Sequence, residues 1–274
     1  MMRRNKAFIA GLALLLTLGV CAAFAPFLAP VPPDQMDYQA RMQLPSRAHL
    51  FGTDFFGRDI LARTLHGSRI ALFVGTCSVL GAALPGLLLG LVAGYKQRWL
   101  DLLIMHLMDG LLSFPALLLA MTIIAVLGPG HMQATISIAV IFLPGFTRVV
   151  RGQVFTIRQD EYVQAAIALG ASDLGIVWRH ILPNVLGPLI VQTTVSFANA
   201  ILIEAGLSFL GLGTQPPLPS WGMMLQEAKD FMDLQPWAAI LPGLAIAMSV
   251  MGFNLAGDGL RDWLDPRFRP GLLK

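Results

Sequence analysis

Charge is what this chain has least of. Only 13% of its 274 residues are Asp, Glu, Lys or Arg, against 55% hydrophobic residues and a mean hydropathy of +0.67. Soluble domains carry about 25% charged residues, so a water-soluble globular fold is excluded. Cysteine is nearly absent. Cys21 and Cys77 both lie in apolar runs, which argues against a structural disulfide and leaves no metal-ligand cysteine spacing. The histidines, at 49, 66, 106, 131 and 180, are scattered without ligand spacing. The phosphate loop G-x-x-x-x-G-K-[ST] is missing, as are H-E-x-x-H and G-x-S-x-G, so ATP hydrolysis by the usual loop and two common hydrolytic mechanisms are excluded. Gly206-Leu-Ser208 begins like a serine nucleophile motif, but Phe209 stands where glycine is needed. There is no internal repeat and no low-complexity tail.

Long apolar runs are abundant. A membrane-crossing helix needs about 20 mainly apolar residues. Six segments qualify: about Ala7–Ala29, Ile70–Gly94, Leu102–Leu127, Ala134–Val150, Val185–Leu207 and Trp237–Gly257. None alternates with period two, which excludes barrel strands. The expected fold class is an all-α membrane protein with six transmembrane helices. Met1–Lys6 followed by an apolar run also resembles a secretory leader. Its apolar part is long for one, so an uncleaved first helix is expected.

Lys and Arg set the orientation. Arg3, Arg4, Lys6, Lys96, Arg98, Arg148, Arg151, Arg158, Arg179, Arg261, Arg267, Arg269 and Lys274 fall on one side. Arg41, Arg47, Arg58, Arg63, Arg69 and Lys229 fall on the other. Both termini are therefore expected in the cytoplasm. This asymmetry accounts for the net charge of +3, and no nucleic-acid partner is implied; the surroundings are lipid.

Three regions follow: residues 1–69, a first helix and outer loop; 70–258, the main transmembrane domain; and 259–274, a cytoplasmic tail. In the outer loop, Gly52 and Gly57 with Asp54 and Asp59 signal turns and caps. The third helix, from Asp101 to Leu127, is expected to kink at Pro115. The outer segment Leu207–Gly222 is too rich in glycine and proline for regular helix and too apolar for a solvated loop. Such backbone is tolerated at membrane depth where protein buries it or it lines a cavity.

The inner segment 158–184 is polar between two oily ones. Tyr162, Ala165, Ala166 and Leu169 fall on one helical face. Its two alanines let another surface approach closely. Asp160 and Glu161 suit the positive end of the helix dipole. Gly170 permits a sharp turn, Ser172 is placed to cap a second short helix, and Pro183 is expected to end it. A helix this short is marginal alone in water. It packs either on a separate protein or on its own chain, and physics alone does not choose.

The fifth span carries Gln192, Ser196 and Asn199 at helical spacing, with Glu204 towards its outer end. Polar groups in a span are costly and face protein or water. They read either as the wall of a translocation path, with Glu204 attracting a peptide ammonium, or as interhelical hydrogen-bonding groups. His106, Asp109 and Ser113 also share a face, as a relay or as interfacial caps.

The inner segment resembles the cytoplasmic coupling segment of importer permeases of the ATP-binding-cassette class. Ala165, Ala166, Gly170, Leu182 and Pro183 match its spacing. Gln164 stands where the pattern has an acid and His180 where it has isoleucine. The resemblance continues in Gly52-Thr-Asp-Phe-Phe-Gly-Arg-Asp59, Leu112-Ser-Phe-Pro115, Leu207–Gly222 and Gly257–Pro266. Together these look like the second permease of the dipeptide/oligopeptide/nickel import family. The resemblance implies a type I importer fold and a bacterial inner-membrane location. The implied partners are a homologous sister permease, two cytoplasmic ATPases that bind the ATP and Mg, and a periplasmic or lipid-anchored binding protein. No cofactor is expected in this chain, and it is not expected to be an enzyme. The implied ATPase-coupling residues are Glu161, Tyr162, Ala165, Ala166, Leu169, Gly170, His180, Leu182 and Pro183. The implied cargo is a di- or oligopeptide, with nickel chelate, glutathione or another small solute as alternatives. A proton-coupled transporter using Asp109 or Glu204 is the rival from another class.

Overall fold

A computed structural model describes residues 2–264. Most of the tail expected at 259–274, with Arg267, Arg269 and Lys274, lies outside the described residues. Among the described residues, ten α-helices follow in chain order: α1 Met2–Leu28, α2 Ile60–Lys96, α3 Arg98–Leu112, α4 Ala116–Leu127, α5 His131–Ile157, α6 Glu161–Ala168, α7 Asp173–Ile176, α8 Leu182–Phe209, α9 Trp221–Ala228 and α10 Trp237–Leu264. Five helical stretches of this described part are long and apolar enough to cross a membrane. The pair α3 and α4 makes a sixth if counted as one span.

The long helices begin and end where local chemistry dictates. Asp59 caps α2 by accepting the Ala62 amide at 2.7 Å. That start lies well before the expected Ile70. The first turns of α2 carry Arg63, Thr64 and Ser68, polar yet buried against the outer loops, so hydropathy alone places the boundary late. The expected kink at Pro115 is a break. α3 and α4 meet at 90°. Proline removes a backbone donor and drives the residue before it out of helical geometry, and the residues around this corner are exposed.

Glycine governs the tightest packing. Gly86, Gly90 and Gly94 recur every four residues along α2. A Cβ on each would lie 2.6 Å from Phe146 Cβ, 2.5 Å from Val150 Cβ and 2.7 Å from Val154 Cβ. Small residues let membrane helices approach closely where lipid supplies no hydrophobic drive, so α2 and α5 form one seam. α1 packs on α10, and α8 fills the space beside α2, α5 and α10, with Phe197 stacked on Phe253 at 4.0 Å. α3 is tied to α5 by Arg151–Asp101, at 2.5 and 2.6 Å, and by Arg148–Asp109 at 2.5 Å.

The end of the bundle that carries Lys96, Arg148, Arg151 and Arg158 is called inner on grounds of charge. At the outer end, Gly52 and Gly57 sit at φ +74 and +77, with backbone of Gln43 and Asp37 where their side chains would be. Arg58 and Arg63 both contact Asp54 at 2.7 Å, and contact Glu227 on α9 at 2.7 and 3.0 Å. Burial, with the Asp54 charge alongside, pushes the Glu227 carboxyl up to about 7 against the pull of Arg58. Trp221 donates its indole N–H to the Thr64 carbonyl at 2.9 Å. The outer loop, α2 and α9 thus form one platform.

Candidate functional site

The inner segment is built from local signals. α6 begins after Asp160, with Glu161 in its first turn. Val163 is fully buried and anchors it to the main apolar core. Gly170 adopts φ +78, a left-handed geometry. Its amide donates to Ile167 and the Ala171 amide to Ala166, closing the helix end. Ser172 accepts the Gly175 amide at 3.3 Å and caps α7.

The expectation that Pro183 ends this second helix is corrected. α7 passes through a π-helical turn at Val177–Ile181 straight into α8, with Pro183 in the first turn of α8. The chain stays helical through Pro183, whose missing N–H falls where the π turn already interrupts the regular ladder. Leu182 and Pro183 therefore lie inside a helical stretch that runs from Asp173 to Phe209. Asn184 donates to the His180 carbonyl at 2.7 Å and to the Tyr162 hydroxyl at 3.2 Å. The Tyr162 and His180 rings lie 6.0 Å apart. Burial, helped by the Asp160 charge, raises the pKa of the Tyr162 hydroxyl, so it stays protonated at neutral pH.

The opposite face is bare and apolar. Leu169 is 88% exposed, and Tyr162 and Ala165 are also exposed, while Ala166 is half-buried. Leu174 and Trp178 stand out from α7 and the π turn on the same segment. Sequence reasoning missed these two. Their four-residue spacing was the available signal. An apolar cluster rimmed by polar residues marks an interaction surface.

The polar residues of α8 divide. Asn199 is exposed and Gln192 is half-buried, donating to Ser196 at 3.3 Å. Ser196 and Glu204 are each only 2% exposed. The Glu204 carboxylate accepts Ser208 Oγ at 2.7 Å and Thr214 Oγ1 at 3.1 Å, and Ser208 Oγ in turn accepts the Thr214 amide at 3.0 Å. Ser196 and Glu204 are thus buried and hydrogen-bonded within the chain, the arrangement of the second of the two readings open from the sequence. Glu204 braces the outer hairpin that follows α8. The face shared by His106, Asp109 and Ser113 makes no relay. Asp109 pairs with Arg148, and the other two bond backbone carbonyls. Among the described residues no group of three or more His, Cys, Asp or Glu is placed to hold a metal ion.

Residues 86–270 match the profile of the family described as "Binding-protein-dependent transport system inner membrane component", and residues 1–45 match "N-terminal TM domain of oligopeptide transport permease C". The chain is 46% identical over 268 residues to the dipeptide transport system permease protein DppC of Alkalihalophilus pseudofirmus, covering 98% of this chain and 88% of that one. It is 45% identical over 271 residues to the di/tripeptide transport system permease protein DppC of Pseudomonas aeruginosa, covering 97% and 89%. It is 42% identical over 269 residues to the glutathione transport system permease protein GsiD of Pectobacterium atrosepticum, covering 98% and 89%. Its fold is similar to a chain in inward-facing structures of the MetNI methionine ABC transporter, with a TM-score of 0.59 at 17% identity, covering 74% of this chain and 96% of that one.

Proposed function

Because this chain belongs to the binding-protein-dependent transport system inner membrane components, in the branch that carries the oligopeptide permease C N-terminal domain, we propose that it moves di- and oligopeptides inward by alternating access. Family membership makes it the non-catalytic, multi-pass membrane component of an importer that works with a binding protein and ATPases. The finer composition is our proposal: one homologous sister permease, two cytoplasmic ATPase subunits, and a binding protein that is periplasmic or lipid-anchored. We also propose cytoplasmic termini, and regions 1–69, 70–258 and 259–274 as first helix with outer loop, transporting domain and tail.

One observation carries the mechanism: the exposed apolar side chains Tyr162, Ala165, Leu169, Leu174 and Trp178 along the inner segment. An ATPase groove that receives these side chains grips the bundle beside the sharp turn at Gly170. Closure of the ATPases around nucleotide then favours one arrangement of the bundle, and hydrolysis releases it. A partner shifts such an equilibrium only through differential affinity for its states. Asn199 and Gln192 remain the polar candidates for the path.

Glutathione is the second cargo reading, favoured by the likeness to the GsiD protein. The two are separated by competition: uptake of labelled dialanine is measured with unlabelled glutathione added, and the reverse. The docking reading is tested with Leu169→Asp. The variant is expected to reach the membrane, lose the ATPases on purification and lose uptake. Full uptake would remove the segment from the coupling role.

A further inference from the structure

The segment 161–183 touches the rest of the bundle through different chemistries. Val163 and Ile176 sit in the apolar core. Tyr162 meets Asn184 and His180 at the base of α8. The link to α2 is polar and centres on one side chain. Asp173, the first residue of α7, takes a hydrogen bond from the Tyr95 hydroxyl at 2.8 Å on Oδ1 and from Lys96 Nζ at 2.7 Å on Oδ2. The Arg158 guanidinium, just beyond α5, lies 5.1 Å from the centre of the Tyr95 ring. The end of α2 and the start of α7 therefore meet at one carboxylate, with Arg158 from the end of α5 over the Tyr95 ring beside it.

We propose that Asp173 is a positioning residue that passes movement of the inner segment to α2. The proposal rests on the reading of that segment as the part gripped by the ATPases. Two donors on two oxygens fix both the distance and the rotation of α7 against the end of α2. Lys96 and Asp173 are each more than half exposed, so their ion pair adds little stability. Its contribution is geometric. The Tyr95 ring is buried, so its hydroxyl cannot follow Asp173 unless α2 moves as well.

The surroundings suit transmission. α2 is one helix of 37 residues with Pro85 inside it, about 55 Å along its path. Its glycine seam locks it to α5. Its far end holds Arg63, bonded to Asp54 and Glu227, and the Thr64 carbonyl, bonded to Trp221. On the other flank, α7 leaves through the π turn Val177–Ile181. Such a turn interrupts the regular ladder and often marks a bend or hinge. The inner segment is thus held to α2 by a polar clamp and runs on into α8 through the irregular π turn. In this proposal displacement at Asp173 is carried along α2 towards the outer platform.

The test uses the full complex, co-purified with its companion subunits and reconstituted in liposomes with binding protein. ATP hydrolysis and uptake of dialanine or glutathione are measured together. Asp173→Ala is expected to retain its ATPases and to hydrolyse ATP, while uptake per ATP falls by roughly fivefold or more, the scale of a typical coupling term. Tyr95→Phe keeps the ring and removes only the donor. It should lower uptake per ATP in the same direction, and the double variant should be no worse than Asp173→Ala, as expected for partners in one contact. A purely structural role would lower hydrolysis, assembly and uptake in proportion, and that result would overturn the inference. Unchanged uptake per ATP in both single variants would overturn it as well. If the wild-type complex itself showed no ATP-driven uptake, the functional reading beneath would fall, and the inference with it.

Discussion

Glu204 and Thr214 lie ten positions apart in the chain, yet a hydrogen bond of 3.1 Å joins their side chains in the buried outer end of α8. With Ser208 it makes a brace that holds Leu207–Gly222 against the bundle. Glu204→Ala removes the acceptor and strands two donors, at a cost of about 1–3 kcal/mol per buried unsatisfied group. The variant should melt at lower temperature in detergent and expose the hairpin to protease. Uptake of free and N-acetylated dialanine should fall by the same factor. A loss confined to the free amine would restore the view that Glu204 attracts substrate.

Gly170 has open space around it, with no atom within 4 Å of where a Cβ would stand, but its φ is +78. Valine there meets no clash, only the strain of left-handed backbone, about 1–2 kcal/mol. Gly170→Val should reach the membrane in normal amount and lose uptake while ATP hydrolysis persists. Gly170→Asn, which tolerates this geometry better, should lie between. Normal uptake by the valine variant would count against a turn of fixed direction in the coupling segment.

The α2–α5 seam has no spare room. A Cβ on Gly90 would sit 2.8 Å from the Thr147 carbonyl oxygen as well as on Val150, and backbone cannot yield as a flexible side chain does. Gly90→Val should cost about 1–3 kcal/mol through overpacking, read as a drop in melting temperature of the purified chain. Pairing it with Val150→Ala should recover part of the loss. An unshifted melting temperature would mean that the seam can open freely.

Glu227 carries a pH dependence. Its carboxyl sits at about 7 in the fold against an ordinary 4.5, so the folded state holds this proton more tightly than the unfolded chain. The stability it contributes is complete below about pH 4.5 and is lost as pH rises through about 7. Thermal melts between about pH 8 and pH 5 should therefore show a larger gain on acidification for the wild type than for Glu227→Gln. Parallel curves for the two proteins would refute the shift.

How much was legible in the sequence depends on the range of the interactions involved. Apolar runs located every span, and Asp59, Gly170 and Ser172 announced their turns because a cap or a left-handed residue acts within a few positions. Boundaries failed where a distant element covers polar residues. Arg63 and Thr64 read as loop, but they are helical because Asp54, Glu227 and Trp221 satisfy them. Pro115 and Pro183 carry the same residue symbol and opposite outcomes. One stands at a right-angled break between helices; the other is carried inside continuous helix beside a π turn. Glu204 was ambiguous because nothing near it in sequence reveals that Thr214 folds back onto it. Asp173 was invisible as a clamp, since its partners belong to a helix that ends at Lys96.

The right-angled corner between α3 and α4 bears on the surrounding bilayer. α4 has 12 residues, about 18 Å of helix, against a hydrocarbon layer of about 30 Å. It cannot bridge that depth unaided, and the unpaired peptide groups of the elbow cannot be left facing acyl chains. Phe114, at the elbow, is exposed in the isolated chain, so this corner is where the single subunit leaves most of the membrane depth for its surroundings to fill.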